Sequence, residues 1–397
     1  MAKKVEETAE KVTKKSMADV WKAMEKIHGE EGLYVADSTM TTYEDDAIST
    51  GSIALDDALG IWGICRGGII QMAGFESSGK TLLSLCTIAE WQKKDPNNWA
   101  MFIDAEMTFD QVWAASLGVD LSRLYLYREN KGGLIMDRLV GIPGKRGPDG
   151  TVKKIKPGIL DIELETGGTG LGVIVLDSIA AIQPPTEEAV KSDKESIALL
   201  SRFLPPALRK LTPLLSATGV SLIGINQVRM QPGVMYGDPT TSPGGVCLKH
   251  AASMQISLGM VKSSTDSYIY DSAKNQIGHK IRAHIKKNKK APPFRTAEFS
   301  IEYLRGVVSK HEELRDVAAK YGVISRPNNF AWELDGVKYK GKDAIAEAIK
   351  NDIALQESLL TRTKEAKKNF TGLIPNDTDS AEGSETAQVD ENIDENS

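Results

Sequence analysis

Residues 74–81 read G-F-E-S-S-G-K-T, which fits the spacing G-x-x-x-x-G-K-[ST] of a phosphate-binding loop. We expect the backbone N–H groups of residues 77–80 to point inward at the start of a helix and to surround a β-phosphate. Lys80 would reach the β- and γ-phosphates, and the Thr81 hydroxyl would ligate Mg²⁺. Kinases, GTPases, helicases, transporters and recombinases all use such a loop, so the motif predicts a ligand and leaves the reaction open.

Three further polar side chains stand at the ends of apolar, strand-like runs. Asp177 ends G-V-I-V-L-D and would hold Mg²⁺ directly or through water. Hydrolysis also needs a residue that orients or deprotonates the attacking water. Glu106, at the end of M-F-I-D-A-E in a strand expected beside the loop strand, is our choice, with Asp104 as the rival. Gln227, after V-S-L-I-G-I-N, could hydrogen-bond the γ-phosphate, although a glutamine at a strand end usually caps a loop.

Alternating strand and helix patterns must position these residues. Residues 67–74 predict a strand that enters the loop, and residues 81–94 predict the helix that follows it. Further strands are predicted at residues 98–106, 123–129, 172–178 and 220–227. The alternation indicates an α/β fold, with a mostly parallel twisted sheet covered by helices on both faces and a functional edge at the carboxyl ends of its strands.

The chain of 397 residues is long enough for a large core with smaller appendages. Residues 16–28 predict an amphipathic helix that packs on its own core or docks on a neighbouring subunit. Past Ser309 the pattern changes to helix, short strands and helix, which predicts a small α+β unit. We therefore predict an N-terminal helix and linker, a core, a small C-terminal domain and an acidic disordered tail at residues 1–45, 46–305, 306–370 and 371–397.

A stretch rich in glycine, proline and lysine, G-I-P-G-K-R-G-P-D-G-T-V-K-K-I-K-P-G, occupies residues 141–158. Its dipeptide Asp149-Gly150 is a strong turn signal. The pattern predicts a projecting β-hairpin or a loose surface loop. Its lysines could contact DNA, but a solvated insertion is the interpretation that this pattern favours.

Composition narrows the class of protein. With 41% hydrophobic and 26% charged residues, and with no apolar run near the length of a membrane span, the sequence predicts a soluble globular protein. The mixed charges of its first residues argue against a secretory signal. Cys65, Cys86 and Cys247 lie far apart, which indicates reduced thiols and a cytoplasmic location. Residues 376–397 hold eight acids and no Lys or Arg, and removing these eight negative charges from a net charge of −5 leaves +3.

The order of the motifs resembles a known family. S-T-G-S-I-A-L-D-D-A-L-G, G-F-E-S-S-G-K-T, F-I-D-A-E, I-V-L-D-S-I-A-A-I, I-N-Q-V-R-M-Q-P-G-V-M-Y-G-D-P-T-T-S-P-G-G and K-K-N-K-K-A-P-P-F follow in the sequence and spacing of the bacterial RecA recombinases. The resemblance runs from about residue 15 to the end, acidic tail included. It implies a RecA-like ATPase core that uses ATP and Mg²⁺.

The resemblance also implies a role for each matched site residue. The catalytic residues would be Lys80, Glu106 and Gln227, and the metal ligands Thr81 and Asp177. Asp110 and Trp113 would contact adenine, with Trp113 where the family more often has Tyr. Lys287 and Lys289 would reach the ATP of a neighbouring subunit. The full set of nucleotide-binding residues would be Gly74, Ser77, Ser78, Gly79, Lys80, Thr81, Asp110, Trp113, Lys287 and Lys289.

Two segments, residues 184–202 and 228–245, would form the DNA-binding loops by the same resemblance. Their DNA-contacting residues would be Arg202, Arg229, Met230, Gly244 and Gly245. The chain departs from the family in three places. His250 stands where an aromatic residue is usual, and the first DNA loop lacks the glycine-rich pattern. The third departure is the insertion of residues 141–158. These departures indicate a diverged member, and a viral origin would fit them.

The implied function is ATP-dependent DNA recombination, in which a helical filament on single-stranded DNA pairs it with homologous duplex and exchanges strands. Its partners would be single- and double-stranded DNA and further copies of the chain. Single-strand-binding and mediator proteins are further candidates, and no membrane association is expected. One alternative is a hexameric replicative helicase on the same core fold. Another is a single-strand-binding protein with an inert loop, against which the intact residues Lys80, Thr81, Glu106 and Asp177 argue.

Deleting residues 376–397 is expected to strengthen DNA binding, because it removes an acidic competitor for a basic groove. The gain should be largest at low salt, where screening is weakest. Titration of fluorescent DNA over a salt series measures it. An affinity unchanged at every salt concentration would leave the tail a role in solubility alone.

Overall fold

The computed structural model describes residues 46–146, 152–185, 193–230, 240–241, 243–261, 267–328 and 330–369. The predicted N-terminal helix and the acidic tail lie outside these ranges, as do residues 186–192 and 231–239 of the two predicted DNA loops. Within the described residues, every helix is too short or too polar to cross a membrane.

The first half of the chain follows the predicted alternation of strands and helices. A buried serine, Ser52, caps the first helix by accepting a hydrogen bond from Leu55 N. The elements are α1 (Ile53–Leu59), β1 (Ile69–Gly74), α2 (Lys80–Lys94), β2 (Trp99–Asp104), α3 (Gln111–Ser116), β3 (Leu124–Arg128), α4 (Gly132–Val140), β4 (Ile142–Arg146), β5 (Val152–Lys156), α5 (Ile159–Glu165) and β6 (Leu171–Asp177).

The second half adds one long helix and an antiparallel extension of the sheet. Its elements are α6 (Asp193–Thr218), β7 (Ser221–Gln227), β8 (Arg229–Met230), β9 (Thr240–Thr241), α7 (Gly245–Ala251), β10 (Met254–Met260), β11 (Tyr268–Tyr270), β12 (Gln276–Asn288), β13 (Thr296–Glu302), β14 (Gly306–Val307), α8 (Lys310–Lys320), β15 (Ala331–Leu334), β16 (Val337–Lys340), α9 (Lys342–Asn351) and α10 (Ile353–Asn369).

The central sheet has the strand order β14-β13-β12-β10-β1-β7-β6-β2-β3, with β11 paired to β12. The strands from β10 to β3 are parallel, and β12, β13 and β14 extend the sheet antiparallel. The predicted mostly parallel α/β sheet is therefore confirmed. The expectation that β2 lies beside β1 is wrong, because β7 and β6 stand between them. Glu106 nevertheless comes near the loop, since β2 pairs with β6 and the register joins Asp104 to Asp177.

Helices cover both faces of the sheet. On one face, α2 buries Leu82, Leu83 and Leu85 in a cluster that continues into the antiparallel strands. On the other, the long helix α6 packs Leu204, Leu208 and similar side chains against β6 and β7. The apolar runs of the parallel strands are buried on both sides, as such strands require. This covering leaves the carboxyl edge of the sheet to carry polar side chains.

A third cluster of buried apolar residues lies in the C-terminal segment, where α8, β15, β16, α9 and α10 pack together around Trp332 and Leu359. The sequence predicts one helix across residues 342–368, but the structure has two, with the extended residue Asp352 between α9 and α10. The helix-strand-helix order is as expected. The boundaries predicted for this domain remain a prediction.

The insertion forms a β-hairpin, with β4 and β5 paired antiparallel. Of the two structures that the sequence allowed here, the ordered hairpin is the one found. The hairpin lies between α4 and α5 in the chain, and these two helices pack on the side of the sheet that α6 covers.

Arg123 fixes the turn that joins α2 to β2, and replacing it with Ala should destabilise the protein. Its Nε donates to Asp120, and its Nη1 donates to the carbonyl oxygens of Gln92, Asp95, Pro96 and Asn98. Arg123→Ala removes all of these hydrogen bonds, at a cost of about 2 kcal/mol in the free energy of unfolding.

Thermal unfolding measures this loss, and Arg282→Ala is the control. Arg282 forms an ion pair with Glu298 in which both side chains are about half exposed, so its removal should cost little. Equal melting temperatures for the Arg123 variant and wild type would contradict the role assigned to Arg123.

Candidate nucleotide site and DNA-contacting residues

The loop between β1 and α2 is a tight, closely packed turn. Ser77 and Gly79 both have positive φ, 58° and 82°. A Cβ at Gly79 would stand 2.5 Å from the Ile281 side chain, and one at Gly74 would overlap the Leu258 carbonyl and the Ser78 hydroxyl. Both positions thus need glycine for close packing, and Gly79 needs it for its backbone conformation as well. Ser78 is buried in the same turn, directly before α2 begins.

The ammonium group of Lys80 is turned back onto the loop. Its Nζ donates to Gly74 O at 3.1 Å and to Phe75 O at 2.6 Å. Burial lowers the pKa of Lys80, and the carboxylates of Asp177, Glu106 and Glu76 oppose this effect. A phosphate at this position would offer the ammonium group charged oxygens in place of the loop carbonyls.

The carboxylate of Asp177 lies beside the first turn of α2. Its Oδ2 accepts a hydrogen bond from Thr81 Oγ1 at 2.7 Å, and the side chain is only 8% exposed. Burial raises the pKa of Asp177 to about 6, and Glu106 pushes in the same direction, while Thr81 and Lys80 oppose it. A hydroxyl and a carboxylate side by side are hard oxygen ligands, and Mg²⁺ in phosphate sites commonly uses one or two such protein groups. These two residues therefore fit the predicted metal ligands.

The two rivals for the base have different surroundings. Asp104 is 1% exposed, and its oxygens accept the backbone N–H groups of Thr108 and Phe109, both at 3.0 Å. Glu106 is exposed, and only its Oε1 has a partner in the described structure, the buried Ser178 hydroxyl at 2.5 Å. Asp104 is thus engaged in holding the turn after β2, whereas one oxygen of Glu106 has no hydrogen-bond partner among the described residues. Sequence reasoning missed Ser178, which carries no motif signal beyond following Asp177.

Gln227 ends β7 at the position paired with Gly74 of β1. The next amide, Val228 N, donates to Gly74 O at 3.2 Å. One residue earlier, Asn226 Nδ2 donates to Pro243 O at 2.8 Å and so joins the sheet to the far end of the second predicted DNA loop. Gln227 is therefore next to both the phosphate-binding loop and the segment that leads to Arg229.

A cavity of about 320 Å³ opens beside the loop. Trp113 lies in its wall, and its Nε1 donates to Tyr303 O at 2.6 Å. Asp110, predicted beside it, caps α3 by accepting the N–H groups of Val112 and Trp113. The cavity is lined by Ser77, Ser78, Gly79, Lys80, Thr81, Leu82, Trp113, His279, Ile301 and Tyr303.

Sequence reasoning missed His279, Ile301 and Tyr303 in this wall. They belong to the antiparallel strands β12 and β13 or directly follow them, about 200 residues after the loop. His279 is buried, which lowers its pKa, and its Nδ1 lies 3.4 Å from the Tyr303 hydroxyl. The aromatic residue directly after a strand was the one signal that could have pointed to Tyr303.

The predicted interface lysines both lie at the end of β12. Lys287 Nζ donates to the carbonyls of Lys249 and His250 at 2.6 and 3.0 Å, at the last turn of α7. Partial burial and the neighbouring Lys289 lower the pKa of Lys287. Lys289 is exposed. In this chain alone, Lys287 is therefore engaged with its own α7.

The predicted DNA-contacting residues are described in part. Arg202 is exposed on α6, beside Phe203, which packs close to Gly132 of α4. Gly244 has a φ of 87° and precedes α7, whose first residue is Gly245. For Arg229 and Met230 the structure describes the backbone, as the short strand β8 paired with β9.

The comparisons with known proteins all point to one family. The family model for the RecA N-terminal domain matches residues 15–141 and 157–308. Protein RecA of Borreliella afzelii (strain PKo) is 36% identical over 318 residues, which is 80% of this chain and 79% of that protein. Protein RecA of Cytophaga hutchinsonii is 34% identical over 337 residues, 85% of this chain and 86% of its own. Protein RecA of Helicobacter pylori (strain P12) is 34% identical over 355 residues, 89% and 93% of the two chains.

Burial of Asp177 gives a prediction about stability. The pKa is about 6 in the folded protein against an ordinary 3.8, so the folded state binds more protons between these values. The free energy of unfolding should then fall as pH rises from about 4 to about 6. Asp177→Asn keeps an oxygen for Thr81 without the charge, and should stabilise the protein at pH 8 by on the order of 2 kcal/mol but hardly at pH 4.

Thermal unfolding without nucleotide or Mg²⁺, at pH 8 and pH 4, measures this difference. The control is Asp104→Asn, which weakens the hydrogen bonds to Thr108 and Phe109 and should destabilise the protein at pH 8. A destabilised Asp177 variant at pH 8 would contradict the argument from burial.

Proposed function

The chain belongs to the RecA family, and from this premise we propose that it is an ATP-dependent DNA recombinase. In this proposal it assembles as a helical filament on single-stranded DNA, pairs that strand with homologous duplex and exchanges strands. Hydrolysis of ATP, stimulated by DNA, returns the subunits to a state of low DNA affinity. Cys65, Cys86 and Cys247 are free thiols, which fits a cytoplasmic location.

The observation that carries the ATPase part is the convergence of Lys80, Thr81, Asp177 and Glu106 at one end of the sheet. Lys80 would leave its two loop carbonyls and pair with the β- and γ-phosphates. Thr81 and Asp177, already 2.7 Å apart, would hold Mg²⁺. When bound, the metal neutralises charge that develops on the phosphates during transfer.

Glu106 is the proposed general base. The hydrogen bond from Ser178 fixes one carboxylate oxygen, which leaves the other to orient and deprotonate the attacking water. Asp104 is a poorer candidate, because it is almost completely buried and its two oxygens already accept hydrogen bonds from the backbone of the turn after β2.

Trp113 and Tyr303 are proposed to hold the nucleobase. An aromatic ring offers a flat apolar face against which a base can stack. Trp113 is fixed by its hydrogen bond to the Tyr303 backbone, so the two residues form a preset wall. Asp110 would act chiefly by holding α3, and with it Trp113, in place.

Gln227 is the proposed sensor of the γ-phosphate. Movement of its side chain toward a phosphate would pull on Val228, which is bonded to Gly74, and on the adjoining Arg229 and Met230. Arg202, Arg229, Met230, Gly244 and Gly245 would contact DNA through charge, close backbone approach and insertion of Met230 between bases. Nucleotide state and DNA affinity would thereby be coupled.

Lys287 and Lys289 are proposed to reach the ATP of a neighbouring subunit. Lys287 would have to leave the Lys249 and His250 carbonyls to do so. Its lowered pKa follows partly from Lys289, and a phosphate between the two ammonium groups would relieve their repulsion. His250, where the chain departs from the family, therefore belongs to a contact that would have to break when subunits assemble.

The decisive test is ATP hydrolysis with and without single-stranded DNA, with electron microscopy of the same samples. We expect strong stimulation by DNA and helical filaments for wild type. Glu106→Gln should lower kcat by at least about 100-fold and leave ATP binding nearly unchanged. Glu165→Gln, an exposed residue on α5, is the matched control and should behave as wild type. Turnover that DNA does not affect would exclude the proposal.

Lys80→Ala separates the remaining alternatives. A recombinase should lose strand exchange, since the variant lacks the cation that binds the phosphates, whereas a passive single-strand-binding protein would coat DNA as before. Closed rings that unwind duplex with a fixed polarity would instead identify the helicase.

A further inference from the structure

The hairpin of β4 and β5 has no place in the proposed ATPase. The family model matches the chain up to residue 141 and again from residue 157, so the hairpin lies between the matched segments. It is therefore a feature of this chain that the family does not account for.

The base of the hairpin is closely fitted to the protein. Gly141 has a φ of 75°, and a Cβ there would stand 2.5 Å from Lys156 O and 2.7 Å from Gly158 N. Asp161, at the start of α5, accepts the N–H of Gly158 at 2.8 Å and pairs with the ammonium of Lys154. Lys154 also donates to Val140 O at 2.7 Å. These contacts attach the base of the hairpin to α4 and α5.

The charged residues of the two hairpin strands are all basic, whereas the segment between them contains Asp149. The two strands carry no acid and five basic residues, Lys145, Arg146, Lys153, Lys154 and Lys156. Lys154 is used at the base, whereas Lys145 and Lys156 are exposed to solvent. Holding several cations together on one strand pair costs electrostatic free energy, which an anionic partner would offset.

We propose that this hairpin is a docking element for the phosphate backbone of duplex DNA. A two-stranded β-ribbon is narrow enough to enter the major groove, with its lysines toward the phosphates on either side. Proteins that hold single strands rely on aromatic side chains for stacking, and residues 142–156 contain none. The choice of DNA rests on the proposed function, in which the homologous duplex must be captured.

A protein partner is the alternative that the experiment must distinguish from DNA. Ile155 is 70% exposed between the lysines, and an apolar side chain at the centre of a patch is typical of protein interfaces. In the DNA proposal Ile155 contributes little, because phosphate contacts supply nearly all of the affinity. If the hairpin binds DNA, replacing the lysines should therefore weaken binding more than replacing Ile155. If it binds a protein, replacing Ile155 should have the larger effect.

The experiment is fluorescence anisotropy of the full chain with a labelled duplex over a salt series. Lys145→Gln with Lys156→Gln should weaken duplex binding about tenfold at low salt, and should lower the slope of log affinity against log salt by roughly two. Lys93→Gln with Lys350→Gln removes the same charge from two exposed lysines on α2 and α9 and is the control. Ile155→Ser should change duplex affinity less than about twofold.

Three results would overturn the proposal: equal losses in the hairpin and control variants, a loss on single-stranded DNA as large as that on duplex, or a loss of binding or self-association with Ile155→Ser alone. ATP turnover stimulated by single-stranded DNA should be the same in the hairpin variant and wild type. If wild type lacks that stimulation, the proposed recombinase fails, while the duplex measurement still decides whether the hairpin binds DNA.

Discussion

The hydrogen bond between Thr81 and Asp177 is the contact on which the site depends. It joins the first turn of α2 to the end of β6, across a sheet in which β7 separates β6 from the loop strand β1. Parallel strands bring their carboxyl ends to one edge, so residues about a hundred positions apart meet there. Asp177 and Lys80 are both buried, and each favours the charged form of the other.

Such a site is held together at the expense of stability. Positive φ at Ser77, a buried carboxylate with a raised pKa and a buried ammonium group whose hydrogen bonds go to neutral oxygens each cost free energy. A bound nucleotide would relieve these costs, since it supplies the opposite charges.

Buried polar contacts join the C-terminal segment to α1. Buried Glu313 of α8 accepts hydrogen bonds from the Ser52 hydroxyl at 2.7 Å and from Ala54 N at 2.8 Å, which ties the C-terminal segment to α1. Asp57, also in α1, pairs with Lys320 and Lys367. By contrast, the hairpin enters between α4 and α5 and leaves the strand order of the central sheet untouched. An insertion there can acquire a function without disturbing the nucleotide site.

The amino-acid sequence by itself determined the local features: the phosphate-binding loop, the strands that end at Asp104, Asp177 and Gln227, the alternation typical of an α/β sheet, and the turn within residues 141–158. Each depends on neighbours in the chain, through residue spacing, apolar runs or turn-forming residues.

Only the tertiary structure decided strand order, and hence that β2 lies next to β6 and away from β1. It also gave the different surroundings of Glu106 and Asp104, and brought His279 and Tyr303 to the loop. The physical reason is that these contacts join residues far apart in sequence. Their geometry is fixed by how whole strands and helices pack, and local patterns carry no record of that packing.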